Sequence, residues 1–325
     1  MTETQQSSGS GGIIGGRQYL RKCSLVVADA AGEGIELSEL RTIFDVRAFD
    51  FQSPNTAVIT VYNLSPDTGK KLQKEGTRVI LKAGYESAGY GIIFAGQIKQ
   101  FRTGRVDSAT TFFEIRAQDG DVAYNVSTIN VTLAAGSTAE DALAAVLEAL
   151  KPYNITRGFI GTLPPDRSIR AQVFSGMTRD VLRDLSQTWG MTWSIQGGKL
   201  TVLPLTGRAL PGDAIVLTSA SGLIGRPEQT IDGIRARALL NPELVAGRTV
   251  RIDNTSITRG QYSLAYLGDL QNEMLKQVRV TEDGLYRVIA VDYSGDTRGQ
   301  EWYADIICVA LGDPITVAQG QRGRV

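Results

Sequence analysis

The chain has no histidine. That removes the commonest general base, the histidine-assisted serine and cysteine nucleophiles and the commonest metal ligand. Carboxylate chemistry stays open. Cysteine is scarce, with Cys23 and Cys308 alone in 325 residues, too few for a disulfide framework. Each sits in an apolar, strand-like run, Cys23-Ser24-Leu25-Val26-Val27 and Ile306-Ile307-Cys308-Val309-Ala310, so both are expected as buried free thiols. An excess of either charge is missing too: 34 Lys and Arg balance 34 Asp and Glu, which argues against a dedicated nucleic-acid binder. No apolar run approaches the roughly 18 residues of a membrane span. The N-terminus lacks the basic and apolar regions of a signal peptide, so residence in a cytoplasm is expected. The hydrophobic content of 42% supports real cores, and the length suits about two or three domains.

Residues 1–16 are rich in Gly and Ser and are expected to form a flexible tail. From residue 17 to 130 the pattern is strands. Phe44, Val46 and Ala48 alternate with Asp45 and Arg47, and the slip to Phe49 and Phe51 predicts a bulge or bend near Ala48–Asp50. Further strands are expected over Asn55–Leu64, Arg78–Ala83 and Ile92–Phe101. Phe113, Ile115 and Ala117 alternate with Glu114, Arg116 and Gln118, a half-buried strand. Together these read as a small antiparallel barrel or sandwich. Ser65-Pro66 reads as a cap and first helical position.

Residues 131–212 read as a small α+β domain. Ser137 and Glu140 have capping-box spacing, and Ala139, Ala142, Leu143, Val146, Leu147 and Leu150 form one helical stripe. A second helix is predicted over Thr178–Trp189, closed by Gly190, followed by a hairpin turning at Gly197-Gly198. Trp189 and Trp193 are expected in the core of this domain. Strands return over 213–312: Ile215–Thr218, Ile231–Leu240, Thr249–Ile252, Gly284–Asp292 and Glu301–Leu311, with a hairpin loop at Asp292–Gly299. Residues 253–278 read as a long loop holding a short helix at Asp269–Gln277, and loops of that length are usually interfaces or lids. Residues 313–325 form a polar, basic tail.

The series Asn55–Leu64, Ala83-Gly84-Tyr85, Phe94-Ala95-Gly96-Gln97-Ile98 and Ala117-Gln118-Asp119-Gly120-Asp121, followed by the capped helix, resembles the baseplate hub proteins of contractile-tailed bacteriophages. Those are related to the hub portion of type VI secretion spike proteins and to late control protein D. A matching set lies at Ser221–Pro227, Asp232-Gly233-Ile234 and Leu239–Pro242. The resemblance implies a mainly β chain with an α+β insert, in which two tube-protein-like β-barrels flank the small α+β domain. It implies a homotrimeric ring imitating six-fold symmetry, between a hexameric tail tube protein and a trimeric central spike protein, among other baseplate proteins. DNA or a tape-measure protein would pass through the lumen. It implies no cofactor, no metal and no catalytic residue, and a place in the virion tail baseplate after assembly in the host cytoplasm. The expected interface residues are Asn63 and Leu64 in the Asn63–Thr68 loop, Leu264, Tyr266 and Leu267 in the long loop, and Arg322 and Arg324 in the tail.

Two other readings compete. A tail-associated peptidoglycan hydrolase would need two carboxyls across a cleft, and no pair is singled out. A carbohydrate-binding tail adhesin would need exposed aromatics on one surface. Asp119-Gly120-Asp121 lacks the later Glu of an EF-hand loop and reads as a turn. Gly11–Gly16 lacks the Lys-Ser/Thr of a phosphate loop.

Overall fold

The computed structural model describes residues 18–311 except 30–31, 208–209, 260–274, 276–277, 279 and 282. The first strand region holds β1 (Arg21–Ala28), β2 (Gly34–Glu36), β3 (Thr42–Phe49), β4 (Thr56–Tyr62), α1 (Pro66–Glu75), β5 (Arg78–Tyr85), β6 (Gly89–Arg105) and β7 (Thr111–Gln118). The insert holds α2 (Asp121–Val126), β8 (Thr128–Leu133), α3 (Ala139–Leu150), β9 (Thr156–Ile160), β10 (Gln172–Met177), α4 (Thr178–Thr188), β11 (Met191–Gln196) and β12 (Lys199–Pro204). The second strand region holds β13 (Ile215–Leu217), β14 (Leu223–Thr230), β15 (Gly233–Leu239), β16 (Thr249–Ile252), β17 (Leu285–Asp296) and β18 (Trp302–Ala310). The chain is mainly β with an α+β insert.

The two strand regions share one 13-stranded sheet, in the order β14-β15-β18-β17-β3-β4-β7-β6-β5-β1-β2, with β16 also on β17 and β13 on β16. At its centre lie two similar antiparallel sets. Hairpins β3–β4 and β6–β7 make one, with β4 beside β7. Hairpins β17–β18 and β14–β15 make the other, with β18 beside β15. The seam is β17 against β3, from Ala290↔Phe49 to Asp296↔Ile43. Strict alternation builds this arrangement: Phe44, Val46, Ile59, Val61, Ile115, Val291, Tyr293, Ala304 and Ile306 are buried, while every second residue points the other way. Buried side chains of both regions, from Leu25 to Cys308, form one contiguous core. Phe44 meets Trp302 edge-on across the seam at 5.4 Å. Gly295 makes this possible, because a Cβ there would lie 2.3 Å from the Phe44 ring.

The insert has its own core, built on Leu143, Val146, Leu182, Trp193 and Leu200. Its sheets are β10–β8 and β11-β12-β9, with β9 parallel to β12. Ser65 caps α1 as expected, accepting from Thr68 N–H at 3.1 Å with Pro66 at the first turn. The box at α3 falls one residue later than expected. Thr138 Oγ1 accepts from Asp141 N–H at 3.2 Å and Asp141 Oδ2 accepts from Thr138 N–H at 2.8 Å. Ser137 lies outside the box, and Glu140 instead pairs with Arg157 across the surface. Thr138→Ala is expected to cost about 1 kcal/mol; an unchanged thermal midpoint would refute the assignment.

Three further differences are local. The bend expected near Ala48–Asp50 is the end of β3 at Phe49. The loop expected over Asp292–Gly299 is shorter, because β17 runs to Asp296 before the turn. The strand β14 was not expected, because Gly225 and Pro227 punctuate it. It is an outermost strand, where a missing N–H is tolerated, and the start of the long loop lies on it, Thr258 N–H donating to Pro227 O at 2.7 Å. Both cysteines are free: Cys308 is buried and Cys23 half-buried. Burial pushes the Cys23 thiol up to about 12 and raises that of Cys308 as well, so neither is a thiolate nucleophile at neutral pH.

Candidate functional site

The alternation that buries one face of the central sheet turns a polar face outward across both strand sets. Asp45 and Arg47 on β3 face Ser294 and Asp292 on β17 across the seam. Asp305 on β18 lies opposite Asp292 and holds Arg237 of β15 through Nε at 2.7 Å and Nη2 at 2.8 Å. On the other side Glu114 of β7 accepts from Arg116 at 2.8 Å and Arg102 at 3.1 Å. Asp292 is the least well served, with one buried oxygen unpartnered. Burial raises its carboxyl pKa, against the pull of Arg47. The face thus carries both signs interleaved, and its charges largely neutralise one another.

The insert is fastened to this sheet at two ends of one hairpin, β11–β12. At the tip, Gly197 and Gly198 adopt φ of 60° and 76°, the geometry of a two-residue hairpin turn. Their N–H groups both point at the carboxylate of Asp119, at the end of β7: Gly198 donates to Oδ1 at 3.1 Å and Gly197 to Oδ2. Asp119 is 3% exposed, and burial pushes its carboxyl up to about 7, against the pull of the two amides and of Arg78. The next residue, Gly120, has φ of 64°, and a Cβ on it would lie 2.7 Å from Ile195, so the chain turns into the insert at a point only glycine fits.

At the base of the hairpin lies a buried ion pair. Asp50, 0% exposed, accepts from Arg287 Nε at 3.1 Å and Nη2 at 2.8 Å. Arg287, 1% exposed, also donates through Nη1 to Pro204 O at the end of β12. Thr192 Oγ1 of β11 donates to Asp50 O at 3.2 Å. One node therefore joins β3, β17 and the insert. Burial raises the Asp50 carboxyl to about 6, against the opposing pull of Arg287, which leaves it ionised at neutral pH. Two residues beyond Asp119, Asp121 at the start of α2 pairs with Lys99 of β6 at 2.5 Å.

The residues expected at interfaces fare differently. Asn63 has φ of 54° and closes the β4–β7 end, its Oδ1 accepting from Thr111 N–H at 2.9 Å. Leu64 packs against the main core. Leu264, Tyr266, Leu267, Arg322 and Arg324, with most of the helix expected over Asp269–Gln277, lie outside the described residues. Trp193 is in the core as expected. Trp189 packs on that core with one side and lines an open cleft with the other. Sequence reasoning read Asp119 and Asp121 as turn residues and missed what they hold. It missed Asp50 and Arg287 altogether, although a charge inside Phe49-Asp50-Phe51 and inside Tyr286-Arg287-Val288 is the available signal.

A mainly β chain with two similar strand sets joined in one sheet and an α+β insert pinned to it has the fold of phage tail proteins. The 43 kDa tail protein of prophage MuSo2 from Shewanella oneidensis is similar over 91% of this chain and 100% of that one, with a TM-score of 0.55 at 8% identity. A tail protein from Neisseria meningitidis MC58 is similar over 90% and 97%, with a TM-score of 0.56 at 8% identity. The E. coli c3393 protein, a type VI secretion system component with structural similarity to T4 tail proteins gp27 and gp5, is similar over 92% and 80%, with a TM-score of 0.52 at 11% identity. No protein-family model and no curated protein sequence matches the chain. The expected resemblance holds at the level of fold.

Proposed function

We propose that this chain is a structural baseplate hub of a phage-type tail. Three copies form a ring that joins a hexameric tail tube to a trimeric central spike. The observation that carries the reading is the pair of four-stranded sets side by side in one sheet. Three copies would present six such sets, which reconciles three-fold and six-fold neighbours. Closing a ring would also cover strand edges that otherwise invite open-ended pairing. The tail-protein fold supports a place in the virion tail and a structural role rather than a catalytic one. The division into one tube-like unit on each side of the insert belongs to the same reading, with the insert opening at Asp121 rather than near residue 130, since Ala123 and Ile129 pack in its core.

The polar sheet face is assigned to the lumen. A surface of interleaved Asp, Glu and Arg binds neither a polyanion nor a protein strongly, because it offers no net charge for counterion release, which suits passage of DNA or a tape-measure protein. Leu264, Tyr266 and Leu267, and the basic Arg322 and Arg324, are proposed contacts to neighbouring chains. Negative-stain electron microscopy of the purified chain, alone and with its spike partner, tests the reading. Three-fold rings with an open centre are expected. Monomers under both conditions would refute it.

A further inference from the structure

We propose that the insert carries an oligosaccharide-binding cleft, distinct from the sheet face and from the hairpin anchors. The cleft has a volume of about 650 Å³ and lies between α3, α4 and β10, within the range of small-molecule sites. Trp189 and Phe174 line it as aromatic surfaces. Of the three tryptophans, Trp193 and Trp302 are fully buried, so Trp189 is the one positioned to meet a ligand.

The polar groups of the lining argue for hydroxyl-rich chemistry. Among the described residues, the side chains of Asp184, Gln172 and Ser175 line the cleft and make no hydrogen bond or ion pair. Ser137 Oγ, also in the lining, is buried without a partner, a state that buried hydroxyls rarely keep. A sugar ring has an apolar C–H face and a rim of hydroxyls that both donate and accept. The aromatic surfaces meet the first; the carboxylate, amide and hydroxyls meet the second. A phosphorylated or strongly acidic ligand fits poorly: Asp166 and Asp184 face a single cation, Arg167, which already donates to Gly136 O at 3.2 Å. An amphipathic helix fits poorly as well, because polar groups interrupt any apolar stripe it would need. The occupant inferred is a neutral oligosaccharide, bound without any bond being made or broken.

The test is titration of the full chain with the neutral trisaccharides N,N′,N″-triacetylchitotriose, cellotriose and maltotriose, followed by tryptophan fluorescence and calorimetry. At least one triose is expected to give a saturable fluorescence change and to shield Trp189 from acrylamide. The double variant Asp184→Ala/Gln172→Ala, which removes two side chains that make no hydrogen bond among the described residues, is expected to keep the melting temperature and weaken binding about tenfold. Three results would overturn the proposal: no saturable change with any triose, binding that the double variant leaves intact, or shielding of Trp189 only by another protein chain, which would make the cleft a protein-docking surface.

Discussion

Arg287→Ala is expected to destabilise the protein by about 3–5 kcal/mol, the usual cost of leaving a buried charge without its partner. Asp50 would keep one oxygen without a donor and lose both donors on the other. Pro204 O would lose the Nη1 donor at the same time. The node joins the sheet seam to the base of the β11–β12 hairpin, so the loss should appear as one cooperative drop in urea midpoint rather than as fraying of the insert. Replacing both partners with apolar residues, Asp50→Leu with Arg287→Met, should recover most of the loss, since apolar side chains need no partner. A single-variant loss under about 1 kcal/mol would mean that water reaches the pair and that it does not hold the seam.

Stability is expected to fall as pH rises through about 7, and Asp119 is the group responsible. Its carboxyl is raised from 3.8 to about 7 by burial. The folded protein therefore holds this proton more tightly than the unfolded chain does. Stability from this group is fully present below the unfolded value near pH 4 and is lost as pH rises through the folded value. At about 1.36 kcal/mol per pKa unit, the span is at most about 4 kcal/mol. The groups facing Asp119 are the amides of Gly197 and Gly198 and the more distant Arg78, and they soften the loss without reversing its sign. Asp119→Asn should flatten the dependence on the alkaline side, leaving the slope that Asp50 contributes as pH rises towards about 6. Melting temperatures of both proteins between about pH 5 and 8 decide it; identical profiles would remove Asp119 from the account.

Much of the local structure was legible because its causes lie within a few residues. Alternation in Phe44–Ala48 and Phe113–Ala117 marked β3 and β7. Ser65-Pro66 marked the start of α1, and Gly197-Gly198 marked the turn between β11 and β12. Even the misplaced box at α3 erred by one residue: Ser137 and Thr138 both suit the cap, Glu140 and Asp141 both suit its partner, and only backbone geometry chooses between them.

The sequence by itself determined that the chain is mainly β with an α+β insert, that its sites lack histidine chemistry, and where its strong helices and hairpins lie. Only the tertiary structure decided that β17 pairs with β3, which fuses the two strand sets into one sheet. It alone decided that Asp50 finds Arg287 across 237 positions of sequence, that Asp119 holds a hairpin tip 78 and 79 positions away, and that Trp189 borders a cleft. The reason is physical. Periodicity and capping are written in neighbouring residues, whereas a strand edge or a buried charge shows only that a partner is required. Which partner it meets depends on how the chain closes on itself.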